Sequence, residues 1–187
     1  MSSFLSAFSV WSTTRAAGIT SYLFLFLSTA AGIVMSLRAL SGRAKAALLV
    51  VHQSCGWFGF LFGGLHGAVL LFDQYVGYSP LDLLIPFTAY SHPVLNGLGT
   101  IGFYISFVLI LSSDLMKQLG RNVWRTIHFM AFPGFIVSLL HGLLIGTDSL
   151  QSWAIFMYIA TGAIIMLLTV LRFTGLRQEM RKPYSAV

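Results

Sequence analysis

The chain has 187 residues, of which 57% are hydrophobic and only 9% are charged. A soluble domain carries about 25% charged residues, so this composition excludes a soluble enzyme, a disordered protein and a secreted disulfide scaffold. Cys55 is the single cysteine, which excludes an internal disulfide and any zinc or iron–sulfur site built on cysteines. The sequence therefore predicts an all-α, polytopic membrane protein.

Five charge-free runs of 20 to 27 residues follow one another along the chain. Each run is long enough to cross the bilayer, and it must do so as a helix because lipid gives the backbone no hydrogen-bond partner. The predicted spans are residues 16–37, 46–72, 94–113, 126–147 and 149–171. The segments between them are short, so we expect a single membrane domain over residues 1–187, with no soluble flavin or nicotinamide domain.

A shorter apolar segment, residues 83–91, precedes the third span. It is too short to cross a bilayer, and it contains Pro86 and ends at His92-Pro93. We expect an amphipathic loop on the membrane surface, with a partly re-entrant segment as the alternative. His92 itself is expected to have no special role.

Ten of the eleven lysines and arginines lie on one side of the membrane if the spans alternate in direction. They are Arg38, Arg43, Lys45, Lys117, Arg121, Arg125, Arg172, Arg177, Arg181 and Lys182. The positive-inside rule then places the N-terminus outside and the C-terminus in the cytoplasm, as expected for a bacterial plasma-membrane protein. This topology accounts for the net charge of +6, so we expect no nucleic-acid partner.

Four of the five histidines lie inside predicted spans, where ionisable side chains are costly and mark functional sites. His52 and His66 are 14 residues apart in the second span, and His128 and His141 are 13 apart in the fourth. Either separation corresponds to about 20 Å of helix, and the two spans run in the same direction. The rings therefore form two pairs by depth: His52 with His128 near the cytoplasm, and His66 with His141 near the outer surface.

Two stacked pairs of neutral imidazoles suit two haems, since haem needs two axial ligands and a flat apolar slot. Zinc prefers four ligands close together, and a di-iron site needs glutamates, which the spans lack. The alternative is four rings that hydrogen-bond between helices or conduct protons, although a proton path more often uses Asp or Glu. On an ideal helix the two histidines of the fourth span face different ways, and we expect a kink at Pro133-Gly134, or a rotated outer haem, to absorb this mismatch.

Two arginines are placed to bind haem propionates, because a guanidinium pairs with a carboxylate through two hydrogen bonds. Arg125 lies one turn before His128 and is assigned to the inner haem, with an ordinary positive-inside anchor as the alternative. Arg15, the only cation on the outer side, is assigned to the outer haem. The outer aspartates, Asp148 among them, are expected to be solvated. Phe135 lies between the depths of the two haems and is expected to be a packing residue.

Short motifs accompany the paired spacing of the histidines. They are Thr14-Arg15-Ala16-Ala17-Gly18, Leu84-Ile85-Pro86-Phe87, Trp124-Arg125-x-x-His128, Leu140-His141-Gly142 and Gly146-Thr147-Asp148. Over residues 10–172 the chain resembles the transmembrane domain of ferric reductases and NADPH oxidases. The resemblance implies two b-type haems, the inner one held by His52 and His128 and the outer one by His66 and His141, with electrons passing outward from the cytoplasm.

The full enzymes of that family have six spans and a cytoplasmic flavin and nicotinamide domain, whereas five spans are predicted here. The chain is closer to stand-alone bacterial ferric-reductase-like proteins and to the haem subunit of the periplasmic methionine sulfoxide reductase system. We therefore expect the haem component of an oxidoreductase, reduced by a cytoplasmic flavin reductase or flavoprotein. Its outer acceptor would be ferric iron, oxygen or a redox protein.

Two alternatives of other classes stay open. One is a quinol-oxidising cytochrome b subunit, which would need a quinone pocket at one leaflet. The other is a haem sensor or haem-handling membrane protein without turnover.

Overall fold

The computed structural model describes residues 9–37 and 40–180, the last six of these by their backbone only. Over these residues the chain is helical and contains no strand. The helices are α1 (Val10–Met35), α2 (Gly42–Leu70), α3 (Pro80–Leu84), α4 (Pro93–Asp114), α5 (Met116–Leu119), α6 (Arg121–His128), α7 (Ala131–Ile145) and α8 (Ser152–Met180).

Within the described residues, five stretches of helix are long and apolar enough to cross a membrane, which confirms the five predicted spans. Several extend beyond the charge-free runs. Thus α1 begins at Val10 and includes Arg15, and α2 begins at Gly42 and includes Arg43 and Lys45. A helix can continue beyond the hydrocarbon layer because its backbone hydrogen bonds also form in water. The boundary predicted from charge instead stops at the first lysine or arginine.

Serine side chains set the start of three helices by accepting a backbone N–H that has no partner within the helix. Ser9 accepts from Ser12 at α1, and Ser41 accepts from Ala44 at α2. At α3 the cap is reciprocal, because Ser79 accepts the N–H of Asp82 and the Asp82 carboxylate accepts both the N–H and the hydroxyl of Ser79. These hydrogen bonds hold the pKa of Asp82 below its usual range.

The predicted fourth span consists of two helices, α6 and α7, joined at Phe129 and Met130. Pro133 has no N–H, and its ring clashes with the carbonyl four residues earlier, that of Phe129. The N–H of Phe132 donates to that carbonyl instead, over 3.3 Å. The break therefore falls one turn before the proline, between His128 and His141, where the sequence predicts a kink.

The bundle has two closely packed helix pairs, α1 with α2 and α4 with α7. Helix α8 packs against α1 and α7, and the buried core lies where these three helices meet. The core consists of Tyr22, Ile33, Phe135, Ala154, Tyr158 and Ile165. The helices that carry the four histidines, α2 and α6–α7, thus belong to different pairs, and two cavities lie between them.

The segment before the third span folds back along α4. The Thr100 hydroxyl donates to the Leu83 carbonyl over 3.1 Å, and the Tyr104 hydroxyl donates to the Leu84 carbonyl over 2.5 Å. Thr100 lies about 10 Å along α4 from its first residue, at 1.5 Å per residue. The segment therefore descends beside α4 and fits the partly re-entrant alternative better than a loop lying across the helix ends.

Candidate functional site

The four histidines of the spans meet as two pairs, each of which joins α2 to the α6–α7 stretch. The ring centroids of His52 and His128 lie 5.8 Å apart with their planes at 70°, and those of His66 and His141 lie 6.2 Å apart at 82°. On an unbroken helix His128 and His141 would point about 140° apart. Both rings nevertheless lie beside histidines of α2, and the break between α6 and α7 falls between them.

Each pair lines a cavity of its own. The 52/128 cavity, which contains His52 and His128 in its wall, has a volume of about 590 Å³. The 66/141 cavity, which contains His66 and His141, has a volume of about 530 Å³. Both volumes lie within the roughly 300–1,000 Å³ of cofactor and ligand pockets. Two separate sites at two depths therefore lie between the same two helical stretches.

Three of the four imidazoles are oriented by the backbone of a neighbouring helix. Their Nδ1 atoms bond to a carbonyl oxygen: His52 to Ser28 (2.8 Å), His66 to Thr14 (2.9 Å) and His141 to Leu95 (2.7 Å). A carbonyl only accepts, so Nδ1 carries the proton, and in the neutral ring Nε2 then keeps its lone pair. This neutral form is the one that binds a metal, and the second bond fixes the direction of the ring.

His128 is held differently. Its Nδ1 is buried without a hydrogen-bond partner among the described residues. The ring stacks on Trp124, with centroids 4.9 Å apart and planes at 29°, and the Trp124 indole N–H donates to the Ser113 hydroxyl over 3.2 Å. Aromatic packing thus positions this fourth imidazole, in place of a hydrogen bond to the backbone.

The geometry of the pairs is suited to a metal ion between two rings. With each nitrogen about 2 Å from the ion and the ring centroid roughly 1 Å behind it, two facing imidazoles have centroids about 6 Å apart. The separations of 5.8 and 6.2 Å agree with this. In the described part of the chain, no group of three or more His, Cys, Asp or Glu side chains converges on a point. The donors therefore fit a metal whose other ligands come from a macrocycle such as haem, and do not fit a zinc site made by the protein alone.

Arg15, assigned from the sequence to an outer propionate, lies in the wall of the 66/141 cavity. Its guanidinium pairs with Asp148 through two contacts, one of them from Nε to Oδ2 at 2.6 Å, and it lies 3.9 Å from the ring centroid of Trp11. Asp148 is only 14% exposed, so the expectation of a solvated charge was wrong for this residue. The turn between α7 and α8 brings it to α1, a contact between residues 133 positions apart in the sequence.

Arg125, assigned to the inner propionate, is exposed and lies outside the wall of the 52/128 cavity. This position suits the alternative interpretation, a positive anchor at the membrane surface.

Phe135 belongs to the buried core, as the packing interpretation expects. It also lines the 52/128 cavity and stacks on Tyr22, which lines the 66/141 cavity, with ring centroids 5.9 Å apart.

We expect Arg15→Gln and Asp148→Asn each to lower the stability of the protein by about 1–2 kcal/mol. The pair is bidentate and largely shielded from water, which places it between exposed and buried ion pairs. The double variant should lose less than the sum of the two single losses, as measured by thermal unfolding in detergent. Additive losses would show that the two side chains do not depend on each other.

The comparison with protein-family models gives a family match over most of the chain. The model of the family described as ferric reductase like transmembrane component matches residues 16–139. The matched range includes His52, His66 and His128 and ends two residues before His141. No curated protein and no solved structure matched the chain.

Proposed function

The chain belongs to the ferric reductase-like transmembrane component family, and from this premise we propose that it carries electrons across a membrane through two b-type haems. One observation above all supports the proposal. Two cavities at different depths are each lined by two imidazoles that face one another at the separation expected across a single metal ion. One such pair would suit a protein that binds one haem. Two pairs, one after the other across the bilayer, suit a protein that transfers electrons from one side of the membrane to the other.

In this proposal His52 and His128 hold one iron, and His66 and His141 hold the other. Haem, when bound, supplies the one-electron chemistry, and the protein supplies ligands, spacing and insulation. The Nδ1 hydrogen bonds fix the orientation of the His52, His66 and His141 rings, and in the neutral rings Nε2 is available for the metal. The membrane-spanning helices around the cavities are apolar, which would insulate the path from the surrounding medium.

The charges suggest the direction of transfer. The end of the bundle next to the 52/128 cavity carries the exposed cations Arg43, Lys117, Arg121 and Arg125. By the positive-inside rule this end faces the cytoplasm, and in a bacterium the membrane would be the plasma membrane. The electron donor is then a cytoplasmic flavin reductase or flavoprotein, and the acceptor beyond the 66/141 cavity is ferric iron, oxygen or a redox protein.

Four further cations support this orientation from the sequence alone. Arg38, Arg181 and Lys182 lie outside the described residues, and Arg177 is described by its backbone only. They follow the first and fifth spans, so the same rule places them on the cytoplasmic side.

Purified protein is expected to contain two haem b per chain, both low-spin with two histidine ligands. Haem per chain is measured from the pyridine haemochrome and the protein concentration, and ligation from the optical spectra of the oxidised and reduced forms. Protein without haem would contradict the proposal. A single haem that exchanges readily with added apoprotein would instead favour the haem-handling alternative.

A further inference from the structure

Three of the histidine rings lie against a glycine of the neighbouring helix, and in each case the glycine follows the accepting carbonyl by four residues. The sets are Thr14 and Gly18 for His66, Ser28 and Gly32 for His52, and Leu95 and Gly99 for His141. Two of these sets belong to α1 and one to α4, so the same arrangement occurs on two different helices and serves both cavities.

Helix geometry explains why glycine is found at this position. A helical side chain covers the turn on the N-terminal side of its own Cα, so a Cβ at position i+4 lies over the carbonyl of residue i. Without a Cβ, the carbonyl is open to a donor from outside the helix, and its second lone pair can accept the imidazole N–H. The glycine thus makes room for the ring and exposes its hydrogen-bond acceptor.

The space left by the missing Cβ is filled by the ring in all three cases. A Cβ on Gly99 would lie 2.6 Å from His141 Cε1, and one on Gly18 would lie 2.9 Å from His66 Nδ1. A Cβ on Gly32 would meet the His52 ring at 3.2 Å, which is a milder contact. An alanine would therefore displace His141 most and His52 least.

We propose that Gly18, Gly32 and Gly99 are positioning residues for three of the four histidines that would bind haem. Each glycine exposes the backbone carbonyl that orients the neighbouring imidazole toward its cavity. This inference rests on the proposed function, since it concerns the same two sites. Both rings of the 66/141 cavity are fixed in this way, whereas in the 52/128 cavity only His52 is, and His128 relies on its stacking with Trp124. The two sites therefore differ in the number of imidazoles that are held by a backbone carbonyl.

The experiment compares Gly18→Ala, Gly32→Ala and Gly99→Ala in the full chain with haem bound. A carbonyl bonded to Nδ1 makes the imidazole a stronger donor to iron and so favours the ferric form. Displacing the ring should raise the midpoint potential of the haem at that cavity and leave the potential of the other haem unchanged. The shift should be largest for Gly99→Ala, smaller for Gly18→Ala and smallest for Gly32→Ala, which alone acts on the 52/128 haem.

Gly162→Ala is the matched control, because a Cβ there would lie 3.2 Å from Leu139 Cδ1, a contact as tight as that of Gly32 but with no histidine involved. It should leave both potentials at their wild-type values. The readout is a potentiometric titration with optical and electron paramagnetic resonance spectra, and His66→Ala and His52→Ala assign the two components.

The outcomes separate this inference from the proposed function. Glycine variants that keep both wild-type potentials and spectra, or that shift both components equally, would overturn the positioning role. A wild-type protein without haem would instead remove the proposed function. If Gly99→Ala loses haem instead of shifting its potential, loss of the 66/141 component alone supports the role, and loss of both components with no shift in Gly32→Ala contradicts it.

Discussion

The variants His66→Ala and His141→Ala should each lack the same haem. The variants His52→Ala and His128→Ala should each lack the other one. Each substitution takes away one of two imidazoles that face across a single cavity, and the pairs do not share a cavity. The expected loss is one of two haem equivalents per chain. It is measured as haem content and as the component missing from the difference between reduced and oxidised spectra.

His92→Ala provides the control for these variants, because His92 is exposed at the start of α4. It should keep both haems. If His52→Ala and His66→Ala lost the same spectral component, the assignment of one pair to each cavity would be wrong. A chain that kept both haems in all four variants would show that the histidines are not the ligands.

NADH or NADPH should reduce the haems only when a flavin reductase is present. Between its described helices the chain leaves only short connections, none of which could enclose a flavin. The 52/128 cavity lies at the basic end of the bundle, and this end would steer an acidic flavoprotein toward the haem proposed for that cavity. Because exposed charges are screened by salt, the rate should fall as ionic strength rises, as measured by stopped-flow reduction in nanodiscs.

Charge reversal at Lys117 and Arg121 tests the same contact. Both residues are exposed and lie apart from the two cavities, so haem content should stay unchanged. We expect Lys117→Glu with Arg121→Glu to slow reduction about tenfold at low salt, with Lys117→Gln and Arg121→Gln giving an intermediate rate. Rapid reduction by quinol, with none by a reduced flavoprotein, would support the quinol-oxidising alternative instead.

The sequence by itself determined the number of spans, because lipid forces every crossing segment to be a long apolar helix whose ends are marked by charge. It also determined which histidines share a depth, since the rise per residue is nearly constant along a helix. The departure from a straight helix near Pro133 was predictable for a similar reason: the missing N–H and the clash with the carbonyl of Phe129 are local effects.

Only the tertiary structure decided how the rings are held. The acceptors at Thr14, Ser28 and Leu95 are backbone carbonyls, which every residue has, so their own residue types do not mark them in the sequence. The glycine four residues later is linked to the histidines only by the contacts between helices. Which carbonyl meets which imidazole depends on how α1 lies against α2 and how α4 lies against α7. The pairing of Arg15 with Asp148 is of the same kind, because it depends on where the turn after α7 meets α1. Spacing along one helix fixes depth, whereas contacts between helices depend on their relative rotation and shift, which are set by packing of the whole bundle.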